Sequence, residues 1–155
     1  MDPKSGGAYT SVDTYSDEEM VALVVALSDL TGISLEDLLR TYGEYALEPL
    51  VQVYPDSVKD GTTLKIFLRN VHAIVHAEVK KLYADAKLPT FEYEEPAEDQ
   101  LIMIYRSARN LPSVAEGLID GAAKFFSEKI ARKTIEVKEN DETYYRFEIT
   151  FLGSA

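Results

Sequence analysis

The fold of this 155-residue chain is decided by residues 101–126, which read LIMIYRSARNLPSVAEGLIDGAAKFF. The apolar run at 101–105 predicts a strand, and residues 114–130 have the composition of a helix. Gly117 and Gly121 share one face of that helix, four residues apart, which allows another backbone or a flat ligand to come close. Helix–sheet packing explains the two glycines equally well. The stretch therefore predicts a strand followed by a closely packed helix.

Tyr105, Ser107 and Arg109 form the most distinctive polar pattern in this stretch. On a strand, alternate residues project to the same side, so the three side chains are expected to share one face. A guanidinium and two hydroxyls match a carboxylate or phosphate that must be held in a fixed orientation. A polar strand face on which Arg109 pairs with a surface Glu remains an equally good interpretation.

Serine caps predict the beginnings of the N-terminal helices. Ser16 precedes an apolar run at 20–27, which predicts a helix that ends near Gly32. Because this helix is apolar nearly all round, we expect it to be buried. Ser34 is expected to cap a second, short helix in the same way, and that helix is expected to end at Gly43.

Two further helices follow. Residues 44–53 predict a helix that stops before Pro55, and residues 62–83 predict a longer one. The longer helix has apolar residues at three-and-four spacing, namely Leu64, Phe67, Leu68, Val71, Val75, Val79 and Leu82.

Extended segments dominate the second half of the chain. Residues 91–93 predict a strand, and 134–138 with 144–151 predict a hairpin around the turn at 139–142. Helices first and antiparallel strands later indicate an α+β fold. We interpret residues 1–8 as a disordered or artificial start and residues 9–155 as a single domain.

His72 and His76 lie four residues apart on the predicted 62–83 helix, so both imidazoles should lie on one face, where they could bind a divalent metal. Because no further ligands are evident, a core-edge histidine beside a solvated one is the simpler interpretation. A metal-dependent enzyme built on this pair is the weakest of the functions considered, since no third ligand or catalytic base stands beside it.

Composition excludes several classes of protein. The chain has no Cys and a formal net charge of −11, with 46% hydrophobic residues. Without thiolates there is no disulfide framework, iron–sulfur cluster or covalently attached haem. The negative charge argues against nucleic acid or an anionic membrane as the main partner. No apolar run approaches a membrane span and no signal peptide is evident, so we expect a cytoplasmic protein.

Taken together, these residues resemble the haem–nitric oxide/oxygen-binding (H-NOX) family of gas sensors over nearly the whole chain. Tyr105-x-Ser107-x-Arg109 matches that family's Y-x-S-x-R motif. The resemblance implies a non-covalent haem b whose propionates are held by these three side chains. His72 falls at the position of the proximal iron ligand, and Pro89 at that of the proline that presses on the porphyrin. The resemblance assigns no role to His76.

The distal side of the haem is expected to be apolar. Oxygen-binding members of the family place a Tyr where this chain has Val114, beside Leu118. Bound oxygen gains negative charge and needs a hydrogen-bond donor, whereas nitric oxide does not, so the resemblance implies a sensor of nitric oxide or carbon monoxide. Nitric oxide is expected to weaken the iron–histidine bond and so to change the surface offered to a partner such as a histidine kinase or diguanylate cyclase.

The chain departs from the family pattern in one respect. Members usually have further helices before the region that matches Tyr9, and these cover the distal side of the haem. An open distal side predicts weakly held or absent haem, cover by a partner chain, or homo-oligomers formed through the exposed face. The alternative function is a haem-free scaffold of the same fold that binds a protein or an apolar ligand.

Overall fold

In the computed structural model, which describes residues 4–10, 13–82 and 84–155, N-terminal helices precede an antiparallel sheet with one further helix. The helices are α1 (Asp17–Thr31), α2 (Leu35–Val53), α3 (Leu64–Asn70), α4 (His76–Leu82) and α5 (Pro112–Phe125). The strands are β1 (Thr90–Glu94), β2 (Gln100–Arg106), β3 (Glu128–Glu139) and β4 (Glu142–Ser154), in the order β1-β2-β4-β3. The α+β prediction is confirmed.

The predicted caps are in place at both N-terminal helices. Ser16 Oγ accepts a hydrogen bond from the Glu19 amide at 3.2 Å, and Ser34 Oγ accepts one from the Asp37 amide at 3.1 Å. Gly32 ends α1 in the left-handed conformation, with φ 72°. These side chains satisfy amides that the first helical turn leaves without partners.

Residues 35–53 form one helix, so the predicted break at Gly43 was wrong. A glycine ends a helix by adopting positive φ, and Gly43 is not among the residues that do. It lies instead against α5, where an added Cβ would come within 2.2 Å of the Val114 carbonyl oxygen. The missing side chain serves close packing and not helix termination.

The prediction that α1 is buried was also wrong. Glu19 is the one residue of this helix classed as buried, while Leu27 is 46% and Leu30 85% exposed. The buried glutamate accepts hydrogen bonds from Ser5 and from Tyr9, the latter at 2.8 Å. An apolar composition predicts burial only where another element covers the helix, and within the described residues no element fully covers Leu27 or Leu30.

The predicted 62–83 helix is divided by a wide turn. Thr63 Oγ1 caps α3 by accepting from the Ile66 amide at 3.3 Å, and residues Val71–Val75 are π-helical before α4 begins. The predicted end at Tyr83 lies outside the described residues. A π-helical turn holds one residue more than an α-helical turn, so it rotates everything that follows.

The hairpin prediction is confirmed, and the strands are longer than expected. Asn140 and Asp141 both have positive φ, 50° and 61°, as a two-residue hairpin turn requires. The preceding helix α5 ends at Phe125, five residues earlier than predicted, because Ser127 also has positive φ, 53°. Residues 128–130 therefore belong to β3.

Three glycines bring α2 and α5 into backbone contact. An added Cβ would lie 2.0 Å from the Arg40 carbonyl oxygen at Gly117, and 2.6 Å from the Glu44 carbonyl oxygen at Gly121. Of the two interpretations of this pair, close approach of another backbone is the one observed. The contact is between two helices and not between helix and sheet.

A buried acid connects this helix pair to the sheet. Glu116 of α5 is 7% exposed and lies 3.0 Å from both Arg40 Nη2 of α2 and Arg132 Nη1 of β3. Thr134 also donates to it. Desolvation raises the pKa of Glu116, but hydrogen bonds from Thr134 and Arg40 and the charge of Arg132 outweigh it, so the pKa is lowered. The carboxylate is ionised and fully engaged.

We predict that Gly117→Ala destabilises the protein, because a methyl group has no space against the α2 backbone. Overpacking of this kind costs about 1–3 kcal/mol, and we expect the upper part of that range. Urea unfolding followed by circular dichroism measures the change. Thr41→Ala, on the exposed side of α2, is the matched control, and equal stability of both variants would contradict the packing.

We predict that Glu116→Gln lowers the free energy of unfolding by about 2 kcal/mol at pH 7, since it removes a buried ionic partner of two arginines. The lowered folded-state pKa means that the ionised form stabilises above pH 4.5, the unfolded value, and less as pH falls through the folded value. The difference between parent and variant should therefore shrink below about pH 4.5. Urea unfolding at several pH values measures it.

Glu36→Gln, on the exposed first turn of α2, is the control for this pH series and should stay within about 0.5 kcal/mol of the parent throughout. If the free energies of unfolding of the parent and Glu116→Gln differed by the same amount at every pH, the carboxylate charge would not contribute to stability.

Candidate functional site

A cavity of about 380 Å³ lies between the N-terminal helices, α5 and the β1–β2 edge of the sheet. This volume is in the range of small-molecule and cofactor sites. Its walls are mainly apolar, and they include core side chains such as Leu47, Phe67 and Met103. Polar groups reach it at a few positions, and these decide what it could bind.

His76 lines the cavity and His72 does not. The ring of His76 is half-buried, with its centroid 5.8 Å from that of Phe91 on β1. His72 is exposed, and the two imidazole centroids are 5.8 Å apart. The geometry therefore favours His76 over the predicted His72 as the group that could meet a ligand in the cavity.

The environment of His76 keeps its ring neutral. Desolvation, followed by the neighbouring charge of His72, lowers the pKa of His76 to about 4, against a weaker opposing contribution from the Pro89 backbone. Its Nδ1 atom is buried without a hydrogen-bond partner among the described residues. A neutral, buried imidazole is the form that ligates metals.

Leu88 and Pro89 line the cavity with His76 and are the last two residues of the loop that leads into β1. Proline has a fixed φ and a rigid ring, so it presents a firm apolar surface next to the imidazole. Pro89 is therefore part of the pocket wall, and its contact with a porphyrin stays a prediction.

Tyr105, Ser107 and Arg109 all line the cavity, but they do not alternate along a strand as predicted. Strand β2 ends at Arg106, and the next residues form a turn. The Arg109 amide donates to Ser107 Oγ at 3.2 Å, and Asn110 has φ 50°. The Ser107 side chain binds its own backbone here, which favours a turn over a continued strand.

The three polar side chains have distinct partners. Tyr105 is 4% exposed, and its hydroxyl oxygen accepts from the Leu111 amide at 3.3 Å, which leaves its hydrogen free to donate. Arg109 Nη2 lies 2.6 Å from Asp17 Oδ1 at the start of α1. The arginine therefore does pair with an acid, as the simpler interpretation expected, but on α1 and at the edge of the cavity.

Val114 and Leu118 form an apolar wall contributed by α5. Sequence reasoning missed two further lining residues, Met20 of α1 and Tyr42 of α2. Tyr42 belongs to a set at four-residue spacing with Ala46 and Leu50, and that spacing could have revealed the lining face. Tyr42 is 59% exposed, so the cavity opens to solvent beside it.

Other chemistries find little support. Among residues 4–10, 13–82 and 84–155, no group of three His, Asp or Glu side chains could hold a metal ion. In the same residues, no helix has the length and apolarity to span a bilayer.

The cavity combines apolar walls, one neutral imidazole with a buried unpaired nitrogen, and a cluster of one cation and two hydroxyls. A flat apolar ligand that carries a metal and acidic substituents fits such a set of groups. The fold and cavity thus define an α+β domain that binds a ligand between its helices and its sheet.

Comparison with known proteins gives the family. The sequence profile described as haem-NO-binding matches residues 1–134. The chain therefore belongs to the haem–nitric oxide-binding (H-NOX) family, whose domains are haem-based gas sensors.

Solved structures agree. An Fe(II) unliganded H-NOX protein from K. algicida is 34% identical, with a TM-score of 0.83 over 97% of this chain and 81% of that one. An H-NOX protein from S. oneidensis in its Fe(II)NO state is 24% identical, with a TM-score of 0.86 over 97% of this chain and 83% of that one, and shows the fold alone. No curated protein sequence matches the chain.

Proposed function

We propose that this protein is a haem-based sensor of nitric oxide in which His76 is the iron ligand. The observation that carries the proposal is the buried, unpartnered Nδ1 of His76, a half-buried residue that lines the same cavity as Tyr105, Ser107 and Arg109. Haem iron needs a neutral imidazole and haem propionates need cations and hydroxyls. This cavity offers both.

His76 replaces His72 in this proposal because of its position. The exposed ring of His72 is outside the cavity, whereas His76 reaches it next to Pro89 and Phe91. His72 would make no contact with the ligand, although its proximity is a secondary cause of the lowered pKa of His76. Pro89 would limit the tilt of a flat ligand held by His76.

Tyr105, Ser107 and Arg109 would orient the ligand through its acidic substituents. Tyr105 and Ser107 each offer a hydroxyl hydrogen, and Arg109 offers a planar set of donors. Arg109 would exchange Asp17 for this new anion, because both compete for the same guanidinium face. Binding of the ligand would thereby break the ion pair that connects α1 to Arg109.

Haem supplies a ferrous iron to which nitric oxide or carbon monoxide binds. The protein decides the choice of gas through Val114 and Leu118, which offer no hydrogen-bond donor for the partial negative charge of bound oxygen. His76 begins α4 and follows the π-helical turn, so a change at this side chain acts first on these two elements. Their movement would be the signal read by a partner such as a histidine kinase or diguanylate cyclase.

We predict that the apoprotein takes up one equivalent of haem, with a Soret band that shifts with nitric oxide, and that His76→Ala weakens haem affinity at least about tenfold. Haem titration followed by absorbance measures this. Added imidazole should restore the ferrous spectrum of His76→Ala, because the cavity left by the side chain accommodates it.

His72→Ala is the matched control, from the same helical region and without the cavity position, and it should bind haem like the parent. Loss of the spectrum in His72→Ala but not in His76→Ala would overturn the ligand assignment. No uptake by the parent would favour the haem-free scaffold, which binds a protein or an apolar ligand.

We predict that the ferrous protein forms no stable oxygen complex in air and that Val114→Tyr creates one. A hydrogen bond to a charged acceptor contributes about 1.5–3 kcal/mol, or roughly 10- to 100-fold in the lifetime of the complex. Stopped-flow absorbance measures the lifetime. Val114→Phe, of similar size but without a hydroxyl, should gain nothing.

Tyr42→Phe is a second control, because Tyr42 also brings a hydroxyl to the cavity but is largely exposed. A long-lived oxygen complex in the parent that disappears in Tyr42→Phe would show that this residue, and not position 114, decides the choice of gas.

A further inference from the structure

The π-helical turn at Val71–Val75 interrupts an apolar stripe that the sequence continues through it. At about 100° per residue, one continuous α-helix over 64–82 would keep the whole stripe within an arc of about 120°. The stripe comprises Leu64, Phe67, Leu68, Val71, Val75, Val79 and Leu82. The apolar pattern therefore favours a helix that differs in register from the observed one.

The turn decides which residues face the cavity after it. Because a π-helical turn holds one residue more than an α-helical turn, it turns α4 back by about 100°. His76 then lies about 20° from the centre of the stripe, and it lines the cavity together with Val79. In a continuous α-helix, His76 would lie about 120° from that centre and His72 about 80°. The order of the two histidines relative to the cavity would thus be reversed.

Two buried polar atoms beside this turn lack partners. Among the described residues, His76 Nδ1 and the Tyr93 hydroxyl are the buried side-chain atoms that make no hydrogen bond. Burial raises the pKa of Tyr93, and the backbone of His72 partly opposes this from inside the turn. Leaving a buried polar atom unpaired is unfavourable. The observed register therefore has a cost that is confined to the region of the turn.

Few contacts hold α4 in its observed rotation. Of the helices and strands described, only the turn itself packs extensively against α4. No side chain caps the start of the turn at Asn70, and His72 and Ala73 within it are exposed. After α4, residues 84–89 form neither helix nor strand, so they can absorb a rotation. The surroundings thus permit two registers of the same residues.

We propose that residues 71–75 exchange between the observed π-helical turn and a continuous α-helix, which turns α4 by about 100° and reverses which histidine lies nearer the cavity. The π-helical register directs His76 into the cavity, whereas the continuous register completes the apolar stripe and leaves His72 nearer. Ligation of haem iron by His76 would select the π-helical register. The exchange deepens the proposed function by naming its conformational change, and its coupling to haem rests on that function.

The rotation would give α4 two different outer faces. Ala77 and Lys80 are exposed in the observed register and would move to another side of the helix in the other register. A partner that binds α4 in one register would stabilise that register. By linkage, occupation of the cavity and binding of such a partner would change each other's affinity by the same factor.

The test measures the rotation of α4 in the full chain by double electron–electron resonance. Because the chain has no Cys, two introduced cysteines can be labelled specifically. One label is at Lys80→Cys, and the second is at Tyr45→Cys of α2 or Leu152→Cys of β4, positions that are 76% and 60% exposed. A rotation of about 100° moves a side chain on the helix surface by roughly 8 Å, so the distance to at least one reference should change.

We expect two distance populations in the apoprotein and, after haem uptake, only the one that matches the π-helical register. Tyr93→Phe removes the unpaired hydroxyl and should shift the apoprotein about fivefold toward that register. Tyr144→Phe, which removes a hydroxyl from β4 away from the turn, is the matched control and should leave the ratio unchanged. Circular dichroism confirms that each variant is folded.

A single distance population that neither haem nor Tyr93→Phe changes would overturn the exchange of register. If haem enriched the continuous register instead, the exchange would stand and the assignment of His76 as the iron ligand would fail. The populations are measured first on the apoprotein, so failure of haem uptake and failure of this exchange are distinguishable.

Discussion

The backbone contact between α2 and α5 is the constraint on which the rest of the structure depends. It requires glycine at positions 43, 117 and 121, because each would place a Cβ within 2.6 Å of a backbone oxygen on the other helix. Tyr42 and Ala46 of α2 and Val114 and Leu118 of α5 all line the cavity, so the helix pair supplies part of its lining. A wider spacing between the two helices would change the shape of the pocket.

Ion pairs then connect the α2–α5 pair to the other elements. Glu116 joins α2 to β3 through two arginines, and Arg132 also reaches Asp120 at 2.8 Å. At the other end of α5, the turn after β2 presents Arg109 to Asp17 of α1. Ion pairs made by Glu116, Asp120 and Asp17 therefore connect α5 and its neighbours to the rest of the fold.

Local signals in the sequence predicted local structure well. Ser16 and Ser34 cap their helices, and Asn140 with Asp141 forms the hairpin turn, because each depends on side-chain and backbone chemistry within a few residues. The end of β2 at Arg106 was missed because Ser107 folds back on its own chain. The exposure of α1 was missed because an apolar sequence does not state whether another element covers it.

The chemistry of the candidate site could be predicted from the sequence, but not the identity of every residue in it. Tyr105, Ser107 and Arg109, chosen for their chemistry, and positions 89, 114 and 118, implied by the family resemblance, all line the cavity, while their roles stay predictions. The choice between His72 and His76 could not be made from regular helical spacing, because the π-helical segment Val71–Val75 changes which later positions share a face with Phe67. Composition gives no sign of that segment.

The same wide turn has a consequence for the length of the chain between α3 and α4. Because it holds one residue more than a regular turn, loss of a single residue from 71–75 would let the two helices merge into one continuous rod. Such a deletion would leave the imidazole on nearly the same side of α3, whereas straightening the turn with all five residues kept would rotate it by about 100°. The register of this segment, and not only the identity of its residues, therefore fixes which histidine meets the pocket.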